Sequence, residues 1–305
     1  MCPRLDWMNM RSFFEAISVS CVIPAQSPAD DERTVFENLS FAVERGEIVD
    51  LVGPSGSGKS SLLTACARLN PHAHGAFALE GKGSGEFTPQ QWRRDVAYLP
   101  QKPILTGKNV AEAIRLPWTL AIRGKGGKGE HLLPDERIRT TLDAMGCEDI
   151  DLERAPHDLS GGQAARVALA RTLLTDPKVL LADEVDAGLD DDNAAKVATM
   201  MADAAAHGMA IIRIRHRPPD GRATRTLTLD KGRLKLQLRR TPLPLPRIRR
   251  RRTRTRCLPA PMKMRRRRHE RRSGQFLQHR YLGSAHRAGH GGRGGHHQRT
   301  DAHGH

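Results

Sequence analysis

Apolar and polar positions alternate along two early stretches of the chain. Residues 13–23 read as a strand, and Val35, Leu39, Phe41 and Val43 mark a second strand over 35–43 with one buried face. Residues 24–33 between them are polar and predict a loop. Arg45-Gly46 predicts a turn into residues 47–52, an apolar run interrupted by Asp50 that reads as a buried parallel strand. Residues 61–69 carry good helix formers, and 76–80 suit another short strand. Residues 94–99 lead into Pro100-Gln101, and 109–115 read as helical.

Further along, Pro134 suits the first turn of a helix over 135–145, with Ile138 and Leu142 on one side. Helices are expected over 162–174, closed by Pro177, and over 194–207, stopped by Gly208. Between and after them lie strands over 179–182, 209–214 and 225–229, read as the last of the chain. Alternating strands and helices predict an α/β fold with a mainly parallel sheet. Residues 86–159 show little strand signal and read as a mostly helical subdomain, with a flexible Gly-Lys loop at 124–129. There is no internal repeat. The expected organisation is an extension over 1–12, a body over 13–238 and a tail over 239–305.

The tail changes how the charge is read. The net charge of +16 suggests a nucleic-acid binder, but residues 239–305 hold 19 Arg and one Lys against one Glu and one Asp, a net of +18. The body therefore carries −2, and the basicity says nothing about what the body binds. The tail is Arg-, Pro-, Gly- and His-rich and has few large apolar residues, so it is expected to be disordered. Electrostatic binding to nucleic acid or anionic lipid is one reading of it, and weak metal binding by His290, His296, His297, His303 and His305 another. The favoured reading is a non-functional, out-of-frame translation of GC-rich DNA, in which Arg, Pro, Gly and Ala codons dominate.

Five widely spaced cysteines (Cys2, Cys21, Cys66, Cys147 and Cys257) without a C-x-x-C pair fit a reducing compartment and argue against a disulfide scaffold or zinc site. Residues 1–20 lack the apolar core of a signal peptide, and no window reaches the ~20 apolar residues that span a bilayer. The expected location is cytoplasmic, with any membrane role exerted through a partner.

Chemistry concentrates in residues 53–61. Gly53, Pro54, Ser55, Gly56, Ser57, Gly58, Lys59 and Ser60 follow G-x-x-x-x-G-K-[ST], and Ser61 opens the helical pattern. Glycines let backbone N–H groups turn toward a polyphosphate, Lys59 can reach the β- and γ-phosphates, and the Ser60 hydroxyl can ligate Mg²⁺. Strand, glycine loop and helix is the context this chemistry needs, because the helix N-terminus adds its dipole. Asp183-Glu184 ends an apolar strand, where a carboxylate can hold Mg²⁺ and the next one can take a proton from water; a plain surface strand end is the alternative. Gln101 can position metal or water, or be an ordinary loop glutamine. His216 can contact a γ-phosphate, or be a surface histidine. Ser160 is a good N-cap for the helix that follows Gly161-Gly162.

Taken in order, Tyr98-Leu-Pro-Gln101, Leu159-Ser-Gly-Gly-Gln163, Val179-Leu-Leu-Ala-Asp-Glu184, Ala187-Gly-Leu-Asp190 and Ile211–His216 resemble the ATP-binding cassette (ABC) family, the nucleotide-binding subunits of ABC transporters. The resemblance covers about residues 13–236 and implies a P-loop NTPase fold with a helical subdomain. It implies ATP and Mg²⁺ as ligands, with Ser60, Gln101 and Asp183 toward the metal and Glu184, His216 and Gln101 in catalysis. It also implies a homodimer in which Leu159, Ser160, Gly161, Gly162 and Gln163 of one copy meet the γ-phosphate held by the other, with Asp190 in the connecting loop. The partner would be a separate transmembrane permease, placing the protein on the inner face of the cell membrane.

Several residues depart from the family's pattern. Residues 21–31 offer no aromatic for adenine, Val185-Asp-Ala-Gly188 stands where Pro-Thr-Ser-Ala is common, and Arg215 replaces the usual Thr before His216. They put the turnover rate in doubt, so a nucleotide-binding subunit without turnover is one alternative. A soluble ABC-type ATPase acting on nucleic acid or ribosomes is another, supported only by the tail. Val110–Trp118 with Ile122-Arg123 resembles a Pro-Trp segment of single-cassette ATPases linked to iron export; coincidence is the equal alternative.

Overall fold

The computed structural model describes residues 12–25, 31–123 and 133–238. The N-terminal extension, the centre of the 24–33 loop, the Gly-Lys loop at 124–129 and the basic tail with its histidines lie outside the described residues. In chain order the regular elements are β1 (Phe14–Ile23), β2 (Arg33–Val43), β3 (Ile48–Val52), α1 (Lys59–Cys66), β4 (Ala73–Leu79), β5 (Lys82–Gly83), α2 (Pro89–Asp95), β6 (Val96–Leu99), α3 (Val110–Arg115), α4 (Asp135–Ala144), α5 (Gly161–Leu174), β7 (Val179–Asp183), α6 (Asp191–Ala206), β8 (Ala210–Ile214), β9 (Arg225–Asp230) and β10 (Arg233–Leu238).

The strands form two sheets. The larger has the order β10-β9-β3-β8-β7-β6, and every neighbour pair in it is parallel except the antiparallel β9–β10 hairpin. The smaller, β2-β1-β4-β5, is antiparallel throughout. The expected mainly parallel sheet is thus the centre of the fold, with an antiparallel sheet added.

Alternation along the central strands divides the core in two. Val49, Leu51, Leu181, Ile212 and Ile214 join the apolar cluster shared with α1 and the antiparallel sheet. Ile48, Leu180, Ala182 and Ile211 join the cluster built with α3, α4, α5 and α6. Both faces of the parallel sheet are covered, as short apolar strands without polar alternation require.

Two differences from the sequence reading have physical causes. The stretch 86–159 is not helical throughout, because β6 within it pairs with β7 in the central sheet. Helix α2 precedes it, started by a capping box in which Thr88 Oγ1 accepts from Gln91 N and Gln91 Oε1 accepts from Thr88 N. That helix buries Trp92 completely, and its indole N–H donates to Cys66 O at 3.0 Å. Finally, 225–229 is not the last strand: Lys231 and Gly232, both with positive φ, turn the chain into β10, which ladders back from Asp230↔Arg233 to Arg225↔Leu238.

Candidate functional site

Because β3, β6, β7 and β8 run parallel, the loops that follow them leave the sheet at one edge. Those loops carry residues 53–58, Gln101, Glu184 and His216. Topology therefore gathers four motifs that are up to 163 positions apart in sequence, the separation of Asp50 and Arg213 across the same strands.

The loop after β3 closes on itself. Ser57 N donates to Pro54 O, and Lys59 folds back so that its ammonium donates to Gly53 O at 3.0 Å and Pro54 O at 2.9 Å. Gly53 has φ +151°, and a Cβ there would lie 2.1 Å from Leu229 O, so no other residue fits. Gly58, at φ +96°, is the N-cap of α1 and offers no side chain to its first N–H groups, which have no acceptor within the helix. Ser55, Gly56 and Ser60 are exposed, Ser61 is half-buried, and the buried Ser57 hydroxyl has no hydrogen-bond partner among the described residues.

These features fit a triphosphate. An orphaned hydroxyl, a nearly buried ammonium bonded among the described residues only to carbonyls, and a helix with no acidic residue in its first turn together form a cradle for an anion.

The carboxylates follow. Asp183, at the end of β7, is 4% exposed, and its Oδ2 accepts from the Tyr98 hydroxyl at 3.0 Å. Burial and the Asp183 charge push the Tyr98 phenol well above its ordinary pKa, so Tyr98 stays a donor. Glu184 has φ +50°, uncommon for a non-glycine residue. Both of its carboxylate oxygens are engaged: Gln101 Nε2 donates to Oε2 at 2.6 Å, and His216 Nε2 lies 2.6 Å from Oε1. The structure thus brings Gln101, Glu184 and His216 into one cluster.

Leu159–Gln163 lies elsewhere on the chain. Ser160 and Gln163 form a reciprocal capping box at the start of α5, and Gln163 also donates to Asp149 Oδ2 at 2.8 Å. Among the described residues no hydrogen bond joins Leu159–Gln163 to residues 53–61. A Cβ on Gly162 would lie 3.1 Å from Leu189, one residue before Asp190. Asp190 caps α6 through Asn193 N at 2.8 Å, and that backbone hydrogen bond, followed by the Asn193 side chain, holds its carboxyl below the usual range.

A buried ionic network lies beneath the cluster, and sequence reasoning missed it. Arg213, 1% exposed, donates from Nε to Asp50 at 2.6 Å and from Nη2 to Asp220 at 2.7 Å. Arg215 donates from Nε to Asp186 at 2.9 Å, and its Nη1 lies 3.0 Å from Asp220 Oδ2 without hydrogen-bond alignment. Burial works against the charge of Arg213, but Asp220 and Asp50 outweigh it and raise its pKa. The available signals were polar residues inside apolar runs: Asp50 in β3 and Arg213 in β8.

Residues 36–187 match the family described as ABC transporter. The hemin import ATP-binding protein HmuV of Nocardia farcinica is 36% identical over 199 residues, covering 64% of this chain and 66% of that protein. The probable iron export ATP-binding protein FetA of Escherichia coli is 33% identical over 171 residues, covering 56% of this chain and 72% of that protein. The chain spans only 52% of a third relative, the methionine import ATP-binding protein MetN 1 of Pseudomonas fluorescens. Among solved structures, the dimeric bacterial ABC transporter cassette MJ0796 shares the fold with a TM-score of 0.64 at 22% identity, over 75% of this chain and 99% of that one.

Proposed function

The chain belongs to the ABC transporter family of ATP-binding proteins, and on that premise we propose that it binds and hydrolyses ATP to drive a transporter. The observation that carries the proposal is the Gln101–Glu184–His216 cluster at the sheet edge that also bears the phosphate cradle. On this reading residues 13–238 are the working cassette and the tail is dispensable.

Lys59 and the N–H groups of residues 56–61 hold the β- and γ-phosphates, offsetting charge that spreads over the γ-oxygens as the bond to the leaving oxygen lengthens. Glu184 takes a proton from the attacking water; the water oxygen bonds to the γ-phosphorus, the bond to the bridging oxygen breaks, and ADP and phosphate result. Gln101 and His216 hold both oxygens of Glu184 before nucleotide arrives, so the base is oriented in advance. Ser60, Asp183 and Gln101 are the residues that would hold Mg²⁺, which would supply positive charge against the phosphates.

Dimerisation belongs to the same reading. Ser160–Gln163 presents helix N–H groups to the surface, unsuited to its own cradle but suited to a γ-phosphate held by a second copy. A solved relative is a dimer of cassettes. A groove of about 380 Å³ lined by Tyr98, Pro117, Leu120, Ile122, Arg123 and Arg171 supports docking of a separate membrane-spanning permease, which would place the protein on the cytoplasmic face of the membrane. No helix among the described residues is long and apolar enough to cross a membrane itself. Relatives named for hemin import, methionine import and iron export share this cassette, so its chemistry is independent of cargo.

Steady-state hydrolysis of Mg-ATP by the purified chain tests the proposal. Turnover that disappears in Glu184→Gln is expected; equal rates in both proteins would remove Glu184 from catalysis.

A further inference from the structure

Three consecutive residues after β8 all reach the segment that begins at Glu184. Arg215 pairs with Asp186 at 2.9 Å, His216 meets Glu184 at 2.6 Å, and Arg217 bonds Leu189 O and, at 2.7 Å, Asp191. Arg215 and Asp186 are two of the departures from the family's pattern, and here they are partners, both buried.

We propose that Arg215, assisted by Arg217, is a positioning residue: its ion pair with Asp186 clamps residues 184–191 against the end of β8 and so holds Glu184 within reach of His216. Two observations support this beyond the contact itself. Glu184 stands in the left-handed backbone region, which a non-glycine residue keeps only when its surroundings hold it there. The segment after it is tied at Asp186, at Leu189 and at the Asp190 cap of α6, while Ala187 and Gly188 between these points are exposed. The pair is also a poor device for stability alone, since a buried ion pair gains little over a well-packed apolar pair. What it adds is a fixed geometry. Asp220 extends the clamp to Arg213 and thence to Asp50, so the strand that leads into the phosphate cradle shares the same ionic chain.

The inference rests on the hydrolysis reading, and its test separates the two. In the full chain, Asp186→Ala and Arg215→Ala are each expected to lower kcat for Mg-ATP by about tenfold with KM within about twofold. The double variant is expected to lose no more than the worse single variant, because both act through one contact. Hydrogen exchange is the second readout: amides of 185–190 and 215–217 exchange about tenfold faster in either variant, and in the milder Asp186→Asn by less, while those of α1 and β3 keep their rates. Unchanged exchange in the segment, faster exchange throughout the chain, or losses that multiply in the double variant would overturn the clamp. A wild-type protein that binds Mg-ATP without splitting it would overturn the hydrolysis reading, and the exchange pattern alone would then decide the clamp.

Discussion

The Tyr98 hydroxyl donates a 3.0 Å hydrogen bond to Asp183 Oδ2, joining the end of β6 to the carboxylate at the end of β7. Tyr98 also lines the groove proposed for the permease, so one side chain touches both surfaces. A carboxylate oriented by a neighbour holds a metal better than a free one, and losing such a partner costs roughly 10–100-fold in metal affinity. Tyr98→Phe is therefore expected to raise the Mg²⁺ concentration needed for half-maximal ATP hydrolysis by about tenfold or more. An unchanged Mg²⁺ dependence would remove Tyr98 from this role.

Lys59 is 6% exposed and, among the described residues, bonded only to the carbonyls of Gly53 and Pro54. Removing it leaves no buried partner charge behind, so the fold tolerates the change better than the ligand does. Hydrogen bonds to charged groups contribute about 1.5–3 kcal/mol, which corresponds to roughly a 10–150-fold loss of ATP affinity in Lys59→Ala. Calorimetric titration with Mg-ATP measures it, and an unaltered affinity would contradict the cradle.

Gly53 and Gly56 make a controlled comparison. A Cβ on Gly53 meets Leu229 O at 2.1 Å, whereas one on Gly56 meets nothing within 4 Å. Gly56→Ala then costs only its left-handed backbone, about 1–2 kcal/mol, and Gly53→Ala costs more because β9 must move. Denaturant unfolding of both variants orders them; equal losses would show that the Leu229 contact is not a constraint.

Asp220 gives a signed pH prediction. Burial raises its carboxyl, but the hydrogen bond from Arg213, the Arg222 N–H and the two guanidinium charges outweigh it and hold the pKa below the ordinary value. A lowered carboxyl contributes stability above its unfolded pKa of about 3.9 and loses it as pH falls through the folded value. The difference in melting temperature between wild type and Asp220→Asn is expected to be largest near neutral pH and to shrink below about pH 4. A difference that grows in acid would contradict the assignment.

Much of the central architecture was readable because each signal was local. The phosphate loop sits between an apolar run and a helical pattern, Ser160 and Gln163 stand at capping-box spacing, and Ile138 and Leu142 bury together as their spacing implies. What escaped depended on distant pairing. Strand β6 spans only four residues, too few for periodicity, and exists because β7 ladders against it. Its preceding helix did carry a local signal, the Thr88–Gln91 box, which went unread. Asp50, Asp186 and Arg215 looked like interruptions or departures, because a buried charge makes sense only once its distant partner is known.

On the proposed reading ATP joins two copies of the chain through each other's Ser160–Gln163, and hydrolysis at Glu184 separates them. Light scattering of Glu184→Gln at saturating Mg-ATP tests it most directly. General-base loss slows hydrolysis by about 10²–10⁴-fold, so the closed dimer accumulates and the mass rises from 33.8 kDa to about twice that, returning on exchange into ADP. A mass that stays at 33.8 kDa with nucleotide bound would contradict the account.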